Sequence, residues 1–164
     1  MMIYTKKGDC GMSDIISDNG LYKDDTVFGL LGDIDELTAH LAVARVHCDS
    51  CAGHLLEALQ KELIYVSAHI AGGEPFIYET AVEKYEKYID AAETEIDMPS
   101  SIIVFGDSES SAYIDLCRAV TRRCERTAVK FVREREFDLC LIKYFNRLSD
   151  YLFVLSLKYR GEKE

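Results

Sequence analysis

The chain has 164 residues, a formal net charge of −10 and a hydrophobic content of 48%. These values predict one globular domain, spanning residues 1–164, that is long enough to bury a substantial core. The acidic balance argues against general binding to nucleic acid or to an anionic membrane, and no apolar stretch approaches the roughly 18 residues that a membrane helix needs. The N-terminal residues lack the apolar segment of a signal peptide, so we expect a cytoplasmic protein with reduced cysteines.

The first 25 residues are polar, contain several glycines and show no periodicity, which predicts a loop. From residue 26 to 160 apolar residues recur at helical spacing. Apolar stripes over residues 27–44 and 55–70 predict the first two helices. Three further helices are predicted over about 79–95, 110–135 and 138–160. Five helices with short connections predict an all-α five-helix bundle. Residues 101–105, SIIVF, have the composition of a strand but are too isolated to form a sheet.

The fourth predicted helix carries a dense group of basic residues. Positions 118–135 hold seven basic and two acidic residues, so this segment has a net charge of +5 within an acidic chain. Arg118, Arg122 and Arg126 are four residues apart and lie on one face, away from the apolar stripe. We expect Glu125, on the same side, to pair with Arg118 and Arg122. The row indicates an anionic ligand, an acidic protein partner, or a solvated face with salt bridges to acidic neighbours.

Two other segments carry polar residues in suggestive places. Asn146 and Asp150 share a face of the last helix, either as ordinary surface or as a pair facing a ligand. The N-terminal stretch IYTKKGDCGMSD combines glycines with lysines and hydroxyls, a composition that suits phosphate contact. It is neither a Walker A loop nor a dinucleotide fingerprint. The donors that it offers are Thr5, Lys6, Lys7 and Ser13.

Taken together, these segments resemble the PduO-type ATP:cob(I)alamin adenosyltransferases. The matching stretches are TKKGDCGMS (5–13), YKDD with Lys23, GDIDEL (32–37), CRAVTRRCER (117–126) and NRLSDYLF (146–153). They occur in the family's order and span residues 3–160, so their joint occurrence is highly specific. The resemblance implies a five-helix bundle, with residues 1–25 as an ATP-binding loop and 26–160 as the bundle. It also implies a homotrimer that binds ATP between subunits.

The implied reaction transfers the 5′-deoxyadenosyl group of Mg-ATP to Co(I) of cobalamin or a related corrinoid and releases triphosphate. Because Co(I) is itself the nucleophile, the protein needs to position the 5′ carbon and to stabilise charge on the leaving group. We expect Mg²⁺ to arrive with the ATP phosphates rather than in a metal site of the protein. A corrinoid reductase or an adenosylcobalamin-dependent enzyme is a candidate further partner.

The resemblance also implies roles for individual residues. Arg122 acts at the triphosphate, while Arg118 pairs with Asp35 across the subunit interface. Asp150 lies on the corrinoid side of the site. The ATP contacts that the resemblance implies are Thr5, Lys6, Lys7, Gly8, Ser13, Lys23, Arg122, Glu125, Arg126 and Asn146.

The sequence departs from the family pattern mainly on the corrinoid side. Ile102 stands where the family has a phenylalanine that helps to displace the lower axial ligand of cobalt. Phe105 and Gly106 replace a Pro-Gly turn, and Lys7 replaces a threonine in the loop. The ATP half of the site therefore follows the family and the corrinoid half, with Ile102 and Asp150 as its candidate residues, departs from it. This pattern fits a slow enzyme, an enzyme specific for another corrinoid, or a relative that binds ATP without this chemistry. Phe105 is a possible substitute, three residues away.

Other functions remain open on the sequence alone. A non-catalytic carrier or regulator that binds ATP or a corrinoid would share every motif. His47, Cys48, Cys51 and His54 within HCDSCAGH indicate, as an alternative, a zinc-binding or redox-sensing bundle. A ferritin-like di-iron bundle is excluded, because no histidine follows a glutamate at the Glu-x-x-His spacing that this class requires.

Overall fold

The computed structural model describes residues 4, 6 and 8–160. The helices are α1 (Thr26–Val46), α2 (Ser50–Ile70), α3 (Tyr78–Glu93), α4 (Glu109–Arg135) and α5 (Cys140–Lys158). They form the predicted five-helix bundle, and the last three helices begin and end within two residues of their expected positions. None of the helices in these described ranges is both long and apolar enough to cross a bilayer.

Helix α4 lies at the centre of the bundle and packs against both α1 and α5. Helix α2 packs on the other side of α1, and α3 packs on the other side of α5. The apolar stripes predicted from the sequence form one continuous core, in which Leu30, Leu59, Ile114 and Leu152 are almost completely buried. Each such side chain contributes about 1.5–3 kcal/mol on burial. Although α4 is central, Arg122 and Arg126 remain exposed at the surface.

A buried polar cluster ties α2 to α3 and α5. The hydroxyls of Tyr85 and Tyr144 both donate to Oε1 of Glu62, the second over 3.0 Å. Lys84 lies 3.3 Å from the other carboxylate oxygen. Burial raises the pKa of both tyrosines well above the ordinary value, so they stay neutral donors. Because both hydroxyls are hydrogen-bonded, burying them carries no desolvation penalty from unpaired groups.

The N-terminal segment is more ordered than the predicted loop. Strand β1 (Met12–Ser13) pairs antiparallel with β2 (Leu21–Tyr22), and the backbone N–H of Gly20 donates to Asp14 Oδ1 over 2.8 Å. Strands of two residues are too short to show the period-two alternation that identifies a strand in sequence. Residues 101–105 form no strand in the structure, in agreement with their isolation.

The hairpin is attached to one end of the bundle. The N–H of Ser17 donates to the carbonyl of Ala71 at the end of α2, over 3.0 Å. Arg135, the last residue of α4, donates to Asp25 Oδ2 over 2.6 Å, and Asp25 also caps α1 by accepting from the N–H of Val27. The N-terminal loop is thereby fixed near the C-terminal end of α4.

Candidate functional site

The predicted phosphate loop folds around Lys23. Its Nζ donates to the carbonyl of Gly8 over 2.8 Å, and its backbone N–H donates to the carbonyl of Gly11 over 2.9 Å. A Cβ at position 8 would lie 2.8 Å from the Lys23 ammonium, so this contact requires glycine. Gly11 has φ +78°, a left-handed conformation that glycine adopts without strain. The structure therefore brings Gly8 and Lys23 together, and their ATP contacts stay predictions.

The other predicted loop residues lie elsewhere in the N-terminal segment or outside the described residues. Lys6 is exposed, and Ser13 lies in β1 with its side chain half-buried. Thr5 and Lys7 lie outside the described residues. The structure thus shows contacts among Gly8, Gly11 and Lys23, and the ATP-binding roles of all the loop residues stay predictions.

Two members of the predicted arginine row, Arg122 and Arg126, are exposed and form no ion pair in the described residues, and the term arginine row is kept for these two. Arg122 and Arg126 both lie on the surface of α4, and Nη1 of Arg126 donates to the carbonyl of Arg122 over 2.9 Å. Within residues 8–160, neither guanidinium forms an ion pair with a carboxylate. Two uncompensated guanidinium groups one turn apart repel each other and favour an anionic ligand between them.

The predicted pairing of Glu125 with Arg118 and Arg122 is wrong within one chain. Glu125 was expected to hold Arg118 and Arg122, but its Oε1 accepts from Nδ2 of Asn146 on α5 over 3.0 Å. The side chain is rotated toward the groove between the two helices, where both residues are half-buried. This pair places two predicted ATP contacts from different helices next to the arginine row.

Arg118 occupies a separate environment at the N-terminal half of α4. Its Nε donates to Asp115 Oδ1 over 3.3 Å, and its guanidinium lies 4.8 Å from the ring of Phe105 and 5.8 Å from that of Phe153. Burial raises the pKa of Asp115, and the hydrogen bond from Arg118 opposes that effect. Asp35 is exposed on α1. A bridge from Arg118 to Asp35 of another subunit stays a prediction.

A neighbouring arginine, which sequence reasoning did not single out, has a structural role. Arg123 donates through Nε to Asp33 Oδ1 over 3.0 Å and also pairs with Glu36, which joins α4 to α1. Thr127 donates to the other oxygen of Asp33 over 2.6 Å. The hydrogen bond that Arg123 donates to Glu36, the one that it donates to Asp33, and the charges of both carboxylates raise the pKa of Arg123. The salt-bridge interpretation of the basic segment is therefore correct for Arg123, which points away from the row.

The predicted corrinoid side contains an open cavity of about 530 Å³ between α3 and α5. Asp150 lines it, beside Arg147, Met98 and Phe153. Nη1 of Arg147 donates to Asp150 Oδ2 over 2.9 Å, which fixes that carboxylate. Ile102 is not among the lining residues and is 100% exposed. Asp150 therefore lines the cavity on the predicted corrinoid side, and Ile102 does not.

The two halves of the predicted ATP site lie apart within one chain. Lys23 is two residues from Asp25, which Arg135 holds at the end of α4. Arg122 lies thirteen residues earlier on the same helix, about 20 Å along its axis. No hydrogen bond joins the described loop residues to Arg122 or Arg126. Within one chain, therefore, the loop and the arginine row are separated along α4.

The alternative metal site is not assembled. His47 stacks on Tyr113 at 4.5 Å and lies 3.2 Å from Glu109, and the described residues of HCDSCAGH do not converge on a common point. Across residues 8–160, the one group of three metal-ligating side chains within 4.8 Å of one another consists of Glu79, Asp138 and Cys140. A hydrogen bond to Glu79 raises the pKa of the Cys140 thiol to about 11, which disfavours the thiolate that a metal binds.

Comparison with known sequences agrees with these residues. A family model described as cobalamin adenosyltransferase matches residues 3–159. The corrinoid adenosyltransferase MMAB of Bos taurus is 33% identical to the chain, over 99% of the chain and 72% of that protein. The corrinoid adenosyltransferase PduO of Salmonella typhimurium is 30% identical over 95% of the chain, which spans 49% of that relative.

Solved structures show the same architecture. A PduO-type ATP:corrinoid adenosyltransferase from Lactobacillus reuteri, a phenylalanine-to-alanine variant complexed with cobalamin and ATP, matches with a TM-score of 0.90 at 27% identity. The alignment covers 96% of this chain and 93% of that one. An arginine-to-lysine variant of the same type of enzyme, complexed with ATP, matches with a TM-score of 0.89. With the fold, the arginine row and the family model in agreement, the chain belongs to the cobalamin adenosyltransferase family.

Proposed function

We propose that the chain is a corrinoid adenosyltransferase, which moves the 5′-deoxyadenosyl group of ATP onto Co(I) of a corrinoid and releases triphosphate. The observation that carries this proposal is the exposed, unpaired row of Arg122 and Arg126 beside the Glu125–Asn146 pair. Relatives that are named for this activity support it. The bound ATP and cobalamin of the Lactobacillus reuteri enzyme show that this fold accommodates both ligands.

In this reaction Co(I) is the nucleophile, so the protein needs to stabilise charge and supplies no nucleophile of its own. The electron pair of Co(I) attacks the 5′ carbon, a cobalt–carbon bond forms, and the carbon–oxygen bond to the triphosphate breaks. The leaving triphosphate takes the electron pair of the broken carbon–oxygen bond, so negative charge grows on the phosphate oxygens. Guanidinium groups at Arg122 and Arg126 stabilise this charge more in the transition state than in bound ATP, which lowers the barrier.

The site is proposed to lie between two subunits of a homotrimer. The loop around Lys23 and the arginine row are separated along α4, so one chain cannot close both around the same triphosphate. A second subunit that presents its loop to the row of the first would complete the site. The proposed bridge between Arg118 and Asp35 of a neighbouring subunit would lock that arrangement.

Mg²⁺ is proposed to come with the phosphates of ATP. Mg²⁺ keeps several water ligands and usually binds nucleotides through phosphate oxygens with few protein carboxylates. The described carboxylate near the row, Glu125, accepts a hydrogen bond from Asn146. Because Co(I) is a strong reductant, we expect the enzyme to work in a reducing compartment. A corrinoid reductase is the proposed source of its Co(I) substrate.

A second candidate function is ATP and corrinoid binding without transfer. The observation that favours it is Ile102, which stands fully exposed where the family pattern has an aromatic residue. In this case ATP and the corrinoid would both bind, and no triphosphate would form.

The test is an oxygen-free assay with purified protein, Mg-ATP and cob(I)alamin, in which corrinoid absorbance and triphosphate are measured in the same tubes. We expect equal amounts of adenosylcobalamin and triphosphate. Arg122→Ala is expected to abolish transfer without loss of helix content, because its side chain is exposed and supports no packing. Arg45→Ala, an exposed arginine at the end of α1, is the matched control. Binding of both ligands to wild type without triphosphate would favour the carrier, and full turnover by Arg122→Ala would refute the role of the row.

A further inference from the structure

The cationic face of α4 continues beyond the residues that the family pattern covers. Lys130 and Arg133 follow Arg122 and Arg126 at spacings of four and three residues. At 100° per residue all four side chains fall within about 80° of the helix circumference. We call Arg126, Lys130 and Arg133 the lower cationic groove, because together with Val129 and Glu134 they line an open cavity of about 350 Å³.

The charge of this groove is poorly compensated. In residues 8–160, Arg133 forms no ion pair, and Lys130 lies 3.9 Å from one carboxylate, that of Glu134. Glu134 is also engaged by the hydroxyl of Thr26, which draws it toward α1. A protein with ten excess negative charges thus holds three neighbouring cations against their mutual repulsion. Such a surface suits a ligand with several closely spaced negative charges.

We propose that the lower cationic groove receives the inorganic triphosphate product as it leaves Arg122. This inference rests on the proposed function, which supplies the triphosphate. Arg126 belongs to both sites, and Arg133 lies seven residues beyond it, about 10 Å along the axis. The chain of phosphates therefore moves along one helix face without leaving cationic contact. The groove recognises condensed phosphates by charge and length.

The argument depends on where the charges stop. Arg135 follows the groove, but Asp25 and Asp18 hold it, so it is not available to a ligand. The cationic face therefore ends at Arg133, which is exposed and lies two residues before the end of α4, where Arg135 tethers the N-terminal segment. A product that reaches this position is more than one helical turn away from the reaction centre, which leaves Arg122 free for the next ATP.

The test uses inorganic triphosphate as the probe and needs no turnover. Calorimetry on the ATP-free protein should show tighter binding of triphosphate than of pyrophosphate, and of pyrophosphate than of phosphate. In Lys130→Gln/Arg133→Gln the affinity for triphosphate should fall about tenfold, because two charge-assisted contacts are lost. The double variant Lys87→Gln/Arg45→Gln removes the same charge from exposed positions on α3 and α1 and should bind triphosphate as wild type does.

A second readout separates product binding from substrate binding. In the adenosyltransferase assay, added triphosphate should inhibit Lys130→Gln/Arg133→Gln about tenfold less strongly, while the KM for ATP changes less than threefold. Equal loss of ATP and triphosphate affinity would overturn the proposal, since the groove would then belong to the ATP site. Unchanged triphosphate affinity, or a changed oligomeric state of the variant in sedimentation, would overturn it as well. Absence of turnover in wild type, with triphosphate binding as expected, would count against the enzymatic function and not against the groove.

Discussion

Gly8 offers a direct test of the loop, because a single methyl group added there would press on the end of one side chain, that of Lys23. In Gly8→Ala the added Cβ would lie 2.8 Å from Nζ of Lys23 and 3.3 Å from its Cε. Real Cβ atoms do not approach other heavy atoms as closely as 2.8 Å, so the ammonium must move. The backbone at position 8 is outside the left-handed region, so alanine itself fits. The substitution therefore displaces Lys23 and leaves the loop backbone intact.

The size of the effect follows from what Lys23 loses. A hydrogen bond that involves a charged group contributes about 1.5–3 kcal/mol, and 1.4 kcal/mol is a factor of ten in affinity. If Lys23 contacts ATP, Gly8→Ala should raise the Kd for Mg-ATP about tenfold or more. Because Lys23 is exposed and its end is flexible, the free energy of unfolding should change by less than about 1 kcal/mol.

Calorimetric titration with Mg-ATP and thermal unfolding measure these two quantities. Gly29→Ala is the control, because its added Cβ would meet Thr127 at an ordinary 3.9 Å. A double-mutant cycle with Lys23→Met then isolates the interaction, since Gly8→Ala should cost no further affinity once the ammonium is absent. The same loss in both backgrounds would refute the reasoning, because the methyl would then act on something other than Lys23.

Two further predictions concern stability. Tyr144→Phe removes a donor to Glu62 and should lower the free energy of unfolding by about 1.5–3 kcal/mol, seen as a lower urea midpoint at constant slope with ATP affinity retained; an unchanged midpoint would contradict it. The hydrogen bond from Arg135 lowers the pKa of Asp25 below 3.8, so its stabilisation is complete above that value and is lost as the pH falls through the lower, folded pKa. In acid titrations of the unfolding midpoint, Asp25→Asn should therefore decline less steeply than wild type, and parallel curves would exclude this contribution.

The helices could be predicted because each has a long apolar stripe at one period. Leu30, Ile34, Leu37 and Leu41 repeat every three or four residues, and all four are buried in the core. The N-terminal hairpin could not be predicted in this way. Its strands have two residues each, and its position depends on contacts with Ala71 and Arg135, which are distant in sequence.

The site was predictable to the extent that it lies on one helix. The four-residue spacing of Arg122 and Arg126 is visible in the sequence and becomes an exposed row in the structure. The partner of Glu125 was not predictable from that helix, because Asn146 approaches from α5. The pairing of Arg123 with Asp33 joins residues ninety positions apart, and no local pattern signals it.

Apart from Lys7 in the N-terminal loop, the departures from the family pattern lie in the segment before α4, and the structure indicates how far their effect extends. Arg160 donates to the carbonyl of Val104 over 3.0 Å, and Ser108 caps α4, so the segment is tethered on both sides of Phe105. These tethers hold the Phe105 ring 4.8 Å from Arg118 and leave Ile102 outside them, fully exposed. A change at position 102 is therefore expected to leave Arg118 and the row beyond it undisturbed. We accordingly expect any effect of Ile102 to fall on the corrinoid substrate and not on ATP binding.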